Sequence, residues 1–79
     1  MYYVYSIQGE NNLDKYYVGF TTNVERRLSE HNAGKSLHTN KFRPWKIVSY
    51  TAFVDKVRAE KFETYLKTSF GRAFAKKRL

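Results

Sequence analysis

The sequence predicts an α+β fold, a small three-stranded antiparallel sheet flanked by helices in the order β-β-α-loop-β-α. Three observations lead there. Two tyrosine-rich stretches near the amino terminus flank a polar loop, as the strands of a hairpin do. Two later stretches repeat their apolar residues at helical spacing. A β-branched and aromatic run lies between those two helices. The 79 residues show no internal repeat, low-complexity stretch or linker, so residues 1–79 are expected to form a single domain. A chain this short holds one modest core, which pushes any functional site to the core's edge.

The hairpin is read from Tyr2-Tyr3-Val4-Tyr5-Ser6-Ile7 and Tyr16-Tyr17-Val18-Gly19-Phe20, with Gly9, Asn11, Asn12 and Asp14 in the loop between them. Thr22 stands three residues before Glu25, as in a capping box, and Gly34 stands where a left-handed helix terminator is usual. A first helix is therefore expected over about Asn23 to Ala33. Residues 35–44 read as a basic loop ended by Pro44, and Trp45 to Phe53 supply the third strand. Asp55 can cap a second helix over about Lys56 to Ser69, closed by Gly71, and residues 72–78 read as a short basic helix.

Composition narrows the function. Without cysteine there is no disulfide, thiolate zinc site or cysteine nucleophile. No run of about 18 apolar residues could span a membrane. Met1 leads straight into a strand pattern, so the expectation is a soluble, cytoplasmic protein with no membrane partner. Lys and Arg number 15 against 7 Asp and Glu, and all of the excess follows residue 22. Such a field attracts nucleic acid or anionic lipid through phosphate neutralisation, and by itself it would also suit a ribosomal protein. The seven Tyr, six Phe and single Trp are first of all core-filling residues, with base stacking the alternative.

Periodicity then selects candidates. On the first helix, Val24, Arg27, Leu28 and His31 share one sector, so Arg27 and His31 face inward. Arg26 has Glu30 at i+4 as a surface partner. Arg27 has no such partner on the wheel, and a phosphate oxygen would suit its guanidinium fork; snorkelling past Leu28 to water is the other reading. On the second helix, Ala59, Phe62, Leu66 and Phe70 form the core stripe. Glu63 lies at its edge and Glu60 farther out. A lone rim carboxylate can hold Mg²⁺ or Mn²⁺, although taken singly Glu63 reads first as an i,i+4 partner of Lys67. In the hairpin, Gly19 leaves space beside Tyr17, which would expose Tyr17 and a facing tyrosine to a substrate; cross-strand aromatic packing is the alternative.

At this point the residues resemble a known family. Tyr3-Val4-Tyr5 and Tyr17-Val18-Gly19 look like the two signature tripeptides of the GIY-YIG nuclease superfamily, the first with Tyr3 and Val4 replacing its glycine and isoleucine. Glu25-Arg26-Arg27-Leu28, Glu30-His31-Asn32 and Gly34-Lys35 resemble that family's first helix and following loop. Pro44-Trp45, the stretch from Ala59 to Leu66 and Gly71-Arg72-Ala73-Phe74 resemble a stand-alone branch of short bacterial proteins. The resemblance implies hydrolysis of DNA phosphodiester bonds with one Mg²⁺ or Mn²⁺ ion on Glu63. It also implies that Tyr5 or Tyr17 orients or deprotonates the attacking water, that Arg27 holds the scissile phosphate, and that His31 shuttles a proton or contacts phosphate. An unperturbed phenol ionises near pH 10, so such a base needs a cation nearby.

Lys35, His38, Lys41 and Arg43 in the basic loop are expected to contact the DNA backbone, with little sequence preference. No targeting domain is apparent, so a substrate of defined structure or a partner protein is expected to direct cleavage, and the oligomeric state stays open. The alternative is a basic module of the same fold that binds nucleic acid without cutting it. Binding alone does not require Tyr5, Tyr17, Arg27 and Glu63 together, and an unbridged Glu63 would repel phosphate. An RNA-directed or ribosome-associated protein is a third reading.

Overall fold

The computed structural model of the protein describes residues 1–68 and Gly71. Strands β1 (Tyr2–Gly9), β2 (Tyr16–Thr21) and β3 (Trp45–Phe53) form one antiparallel sheet in the order β2-β1-β3. Helix α1 (Val24–Asn32) joins β2 to a loop holding a short 3₁₀ turn at Asn40–Phe42, and helix α2 (Lys56–Leu66) follows β3. The expected α+β architecture and element order are those of the structure.

Because side chains alternate along a strand, the central strand feeds two cores. Tyr5 and Ile7 point to one face, where Trp45 completes a buried cluster and Leu28 of α1 packs against it with Tyr17, Phe42 and Ile47. Val4 points to the other face and packs with Ala59 and Leu66 of α2, flanked by Tyr2, Val18, Phe20, Phe53 and Phe62. The two helices thus cover opposite faces. Ile7 and Val4, each at most 2% exposed, contribute about 1.5–3 kcal/mol apiece by burial.

A register shift adjusts β3 to this division. Tyr5 opposes Tyr50 and Ser6 opposes Ser49, but Ile7 opposes Ile47, which leaves Val48 as the extra residue of a bulge. The bulge reverses the alternation of β3. Trp45 and Ile47 consequently face α1 alongside Ile7, instead of turning to the α2 side.

Three local expectations are corrected. The amino-terminal cap of α1 is Asn23, whose side chain accepts from the Arg26 N–H at 3.0 Å. Thr22 is displaced from that role because Thr21 Oγ1 accepts from the Asn23 N–H at 3.1 Å and fixes the approach to the helix. α2 ends at Leu66 with Lys67 as its cap, earlier than expected. Gly71 does not end it: it is itself helical and buried, with its N–H donated to Thr68 Oγ1 at 3.1 Å. Finally, the loop is more than a solvated basic segment, since Ser36 and Thr39 are buried in it. Ser69, Phe70 and the basic helix expected at 72–78 lie outside the described residues.

Other termini agree with the sequence. Gly34 has φ +79° and closes α1 through Lys35 N–H to Glu30 O (3.1 Å) and Gly34 N–H to His31 O (3.1 Å), the paired bonds of a Schellman motif. Asp55 caps α2 by accepting from the Val57 N–H at 2.9 Å. If Asn23 is the cap, Asn23→Ala should lower unfolding free energy by about 1 kcal/mol. Thr22→Ala should change it by less than about 0.5 kcal/mol. Urea denaturation of both variants checks this, and the reverse ranking would restore Thr22.

Candidate active site

The site begins with a close approach between two strands. Tyr5 lies directly across from Gly19, and a Cβ at Gly19 would overlap the Tyr5 hydroxyl. Gly19 therefore does not open a space for substrate, as the sequence suggested; Tyr5 itself fills it. Tyr5 is 2% exposed, and of the two signature tyrosines only the half-buried Tyr17 reaches the surface.

From Gly19 the Tyr5 hydroxyl reaches His31 on α1, 2.7 Å from Nε2. The other ring nitrogen, Nδ1, lies 2.7 Å from Thr39 Oγ1, and the Trp45 indole N–H donates to Thr39 O at 2.8 Å. His31 and Thr39 are fully buried. Burial pushes the His31 imidazole below its usual range, and the charge of Arg27 adds to the effect. A neutral imidazole has one donor and one acceptor, which its two hydroxyl partners match. The nearby positive charge of Arg27 polarises the phenol and favours it as the donor. The arrangement that satisfies every group has Tyr5 donating to Nε2 and Nδ1–H donating to Thr39.

The requirement for a cation beside the phenol is met at Tyr5 but does not prevail there. Burial is the larger effect, and despite Arg27 the phenol is pushed up to about 12. Arg27, expected to lack a protein partner, has one: its Nη1 donates to Glu30 Oε1 at 2.9 Å. Glu30 also receives Arg26, at 3.9 Å. The i,i+3 spacing allows this second pairing, which the wheel assigned to the opposite side.

Glu63 occupies the rim beyond Tyr17. Its carboxylate accepts from Lys67 Nζ at 3.0 Å, and the same ammonium lies 5.6 Å from the centre of the Tyr17 ring. On its other side the Tyr17 ring meets His31 edge-on, with centroids 5.3 Å apart. Tyr17 thus bridges the buried relay and the rim carboxylate. Tyr5 feels the charges of Arg27 and Glu63, and the Tyr5 and Tyr17 rings both lie against His31, so these five side chains neighbour one another.

Lys35, His38, Lys41 and Arg43 are exposed on the loop after α1. Arg43 Nε donates to Asn40 O at 3.0 Å, and its guanidinium packs over Gly34. Two residues that sequence reasoning missed hold this region. Thr39 fixes His31 and Trp45, while Asn32 accepts from Trp45 N–H at 2.6 Å and donates to Trp45 O at 3.1 Å, tying α1 to the start of β3. Neither carries a periodic signal, because both act on residues distant in sequence.

The chain thus sets a tyrosine pair, a guanidinium, a histidine and one rim carboxylate close together on a basic α+β scaffold. It belongs to the GIY-YIG family, for the model described as the GIY-YIG catalytic domain matches residues 1–78. The chain is 40% identical to the UPF0213 protein SH2523 of Staphylococcus haemolyticus over 68 residues, 85% of this chain and 80% of that protein. It is 43% identical over 51 residues to a structure-specific endonuclease subunit SLX1 homolog of Giardia intestinalis, which covers 60% of this chain but 14% of that protein. The solution structure of the UPF0213 protein BH0048 from Bacillus halodurans superposes with a TM-score of 0.57 at 28% identity, over 98% of this chain and 84% of that one.

Two outcomes follow from this geometry. Gly19→Ala should cost about 1–3 kcal/mol by forcing Tyr5 off His31, and an unchanged urea midpoint would contradict the contact. Because folded His31 resists protonation, the unfolded chain binds the extra proton as pH drops below about 6.5, the free imidazole value. Stability should thus be full above that pH and fall below it, by at most about 1.4 kcal/mol per pH unit, until His31 is protonated in the folded state too. A His31→Asn variant should be less stable at pH 8 yet decline less between pH 6.5 and 5. Equal declines would show that His31 does not carry the dependence.

Proposed function

We propose that the protein is a divalent-metal-dependent endonuclease that hydrolyses DNA phosphodiester bonds. The observation that carries this reading is the convergence of Tyr17, the Tyr5–His31 relay, Arg27 and Glu63 at one edge of the sheet. Arg27 is the phosphate ligand. Its pair with Glu30 is about one-third exposed on both sides, so a scissile phosphate can take over the guanidinium at small cost and gain charge stabilisation there.

Tyr17, being partly exposed, orients the attacking water. Tyr5 is too strongly held in its neutral form to act as a free phenolate base. Its hydroxyl can instead accept the proton that the attacking water loses while releasing its own to His31 Nε2, which becomes a transient imidazolium, so that no phenolate forms. His31 suits this step because it is neutral near pH 7, and Thr39 fixes its ring.

Glu63 fits a hard divalent ion. It offers carboxylate oxygens at a partly exposed rim. Such a donor suits Mg²⁺ or Mn²⁺, which keep most of their waters and share substrate oxygens. When bound, the ion would neutralise charge on the leaving oxygen.

The substrate is read as DNA of defined structure, with the exposed Lys35, His38, Lys41 and Arg43 along its backbone and little sequence preference. The Giardia relative, a structure-specific endonuclease subunit homolog, supports this reading and a place in DNA repair or processing, with a partner protein supplying targeting.

Purified protein should nick supercoiled and branched DNA with Mg²⁺ or Mn²⁺ and lose that activity with chelator. Tyr17→Phe, Arg27→Ala and Glu63→Ala should each reduce cleavage by about 100-fold or more. Wild-type protein that binds DNA yet leaves every substrate intact would make it a binding module. Full cleavage by Glu63→Ala would remove the metal assignment.

A further inference from the structure

We infer that Lys67 is a resident counter-cation of the metal site, holding Glu63 in place when no metal is bound and competing with the divalent ion for it. This rests on the reading of Glu63 as metal ligand.

Two contacts distinguish Lys67 from an ordinary surface partner. Its ammonium lies 3.0 Å from Glu63 Oε2 and also 5.6 Å from the centre of the Tyr17 ring, so it sits between the carboxylate and the aromatic face of the site. The aromatic face attracts a cation, and the carboxylate attracts it more strongly. Lys67 is also the cap residue of α2, where the unpaired carbonyl ends of the helix favour a positive charge. Glu63 is 23% exposed against 47% for Lys67, so the carboxylate is the more fixed partner and the ammonium the one free to move.

A divalent ion on Glu63 and an ammonium at hydrogen-bond distance from the same carboxylate repel each other, so each weakens the binding of the other. Metal entry therefore displaces Lys67 toward solvent, where its flexible stem allows it to remain hydrated. The pair sets the metal concentration at which the site fills, and it keeps Glu63 directed toward Tyr17 below that concentration.

Lys67→Met preserves the apolar stem and removes the charge. Mn²⁺ binding, followed through loss of the free aquo-ion signal in electron paramagnetic resonance, should be at least about threefold tighter in Lys67→Met than in wild type. Adding Glu63→Gln to either protein should abolish it. In wild type, Mg²⁺ should increase acylation of the Lys67 amine, read by mass spectrometry, while leaving the exposed Lys61 unchanged. Equal or weaker Mn²⁺ binding by Lys67→Met, with binding still lost in Glu63→Gln, would overturn the competing role of Lys67 alone. Mn²⁺ binding indifferent to Glu63→Gln would instead overturn the metal assignment of Glu63, and this inference with it.

Discussion

The hydrogen-bonded chain from Tyr5 through His31 to Thr39 holds the two halves of the domain in register. Tyr5 belongs to the central strand, His31 to α1, and Thr39 to the loop that leads to β3 through Trp45. All of these groups are buried, so each must find a partner or incur a desolvation cost, and among the described residues no buried side-chain polar atom is left unpaired. Gly19 permits the chain to form at all, since a side chain there would occupy the volume of the Tyr5 hydroxyl. A glycine on β2 thereby determines where a histidine on α1 can sit.

The charged groups obey a different rule. Arg27 is paired with Glu30 and Glu63 with Lys67, both within their own helices and both partly exposed. Pairs of this kind contribute about 0.2–1 kcal/mol each, too little to resist a phosphate or a divalent ion. The buried relay is rigid and neutral, whereas the rim is charged and exchangeable. A site for a polyanion benefits from that division, because positioning comes from the former and affinity from the latter.

Much of this was legible in the sequence. The strand segments, the Gly34 terminator, the Asp55 cap and the edge position of Glu63 follow from local patterns that tertiary contacts did not override. What escaped was long-range or competitive. Thr39 looked like one polar loop residue among several, and nothing local indicates that its hydroxyl and carbonyl serve His31 and Trp45. Gly19 reads as open space beside Tyr17, but a neighbouring side chain, that of Tyr5, fills it, which only the strand register reveals. Arg27 appeared unpartnered because a helical wheel separates it from Glu30, although long side chains three residues apart reach each other readily.

The topology explains why the site lies where it does. α1 and α2 cover opposite faces of the sheet, so residues from both helices can meet only around an edge. On β2 that edge carries Tyr17, whose ring touches His31 from α1 and Lys67 from the end of α2. Toward its middle the central strand is enclosed by one core or the other, as Tyr5 is. Of the two signature tyrosines, the one on the edge strand is therefore partly exposed and the one on the central strand is buried in the relay. Placing the two phenols on adjacent strands gives one residue type two environments, a buried hydroxyl of fixed geometry and a partly exposed one beside the rim charges.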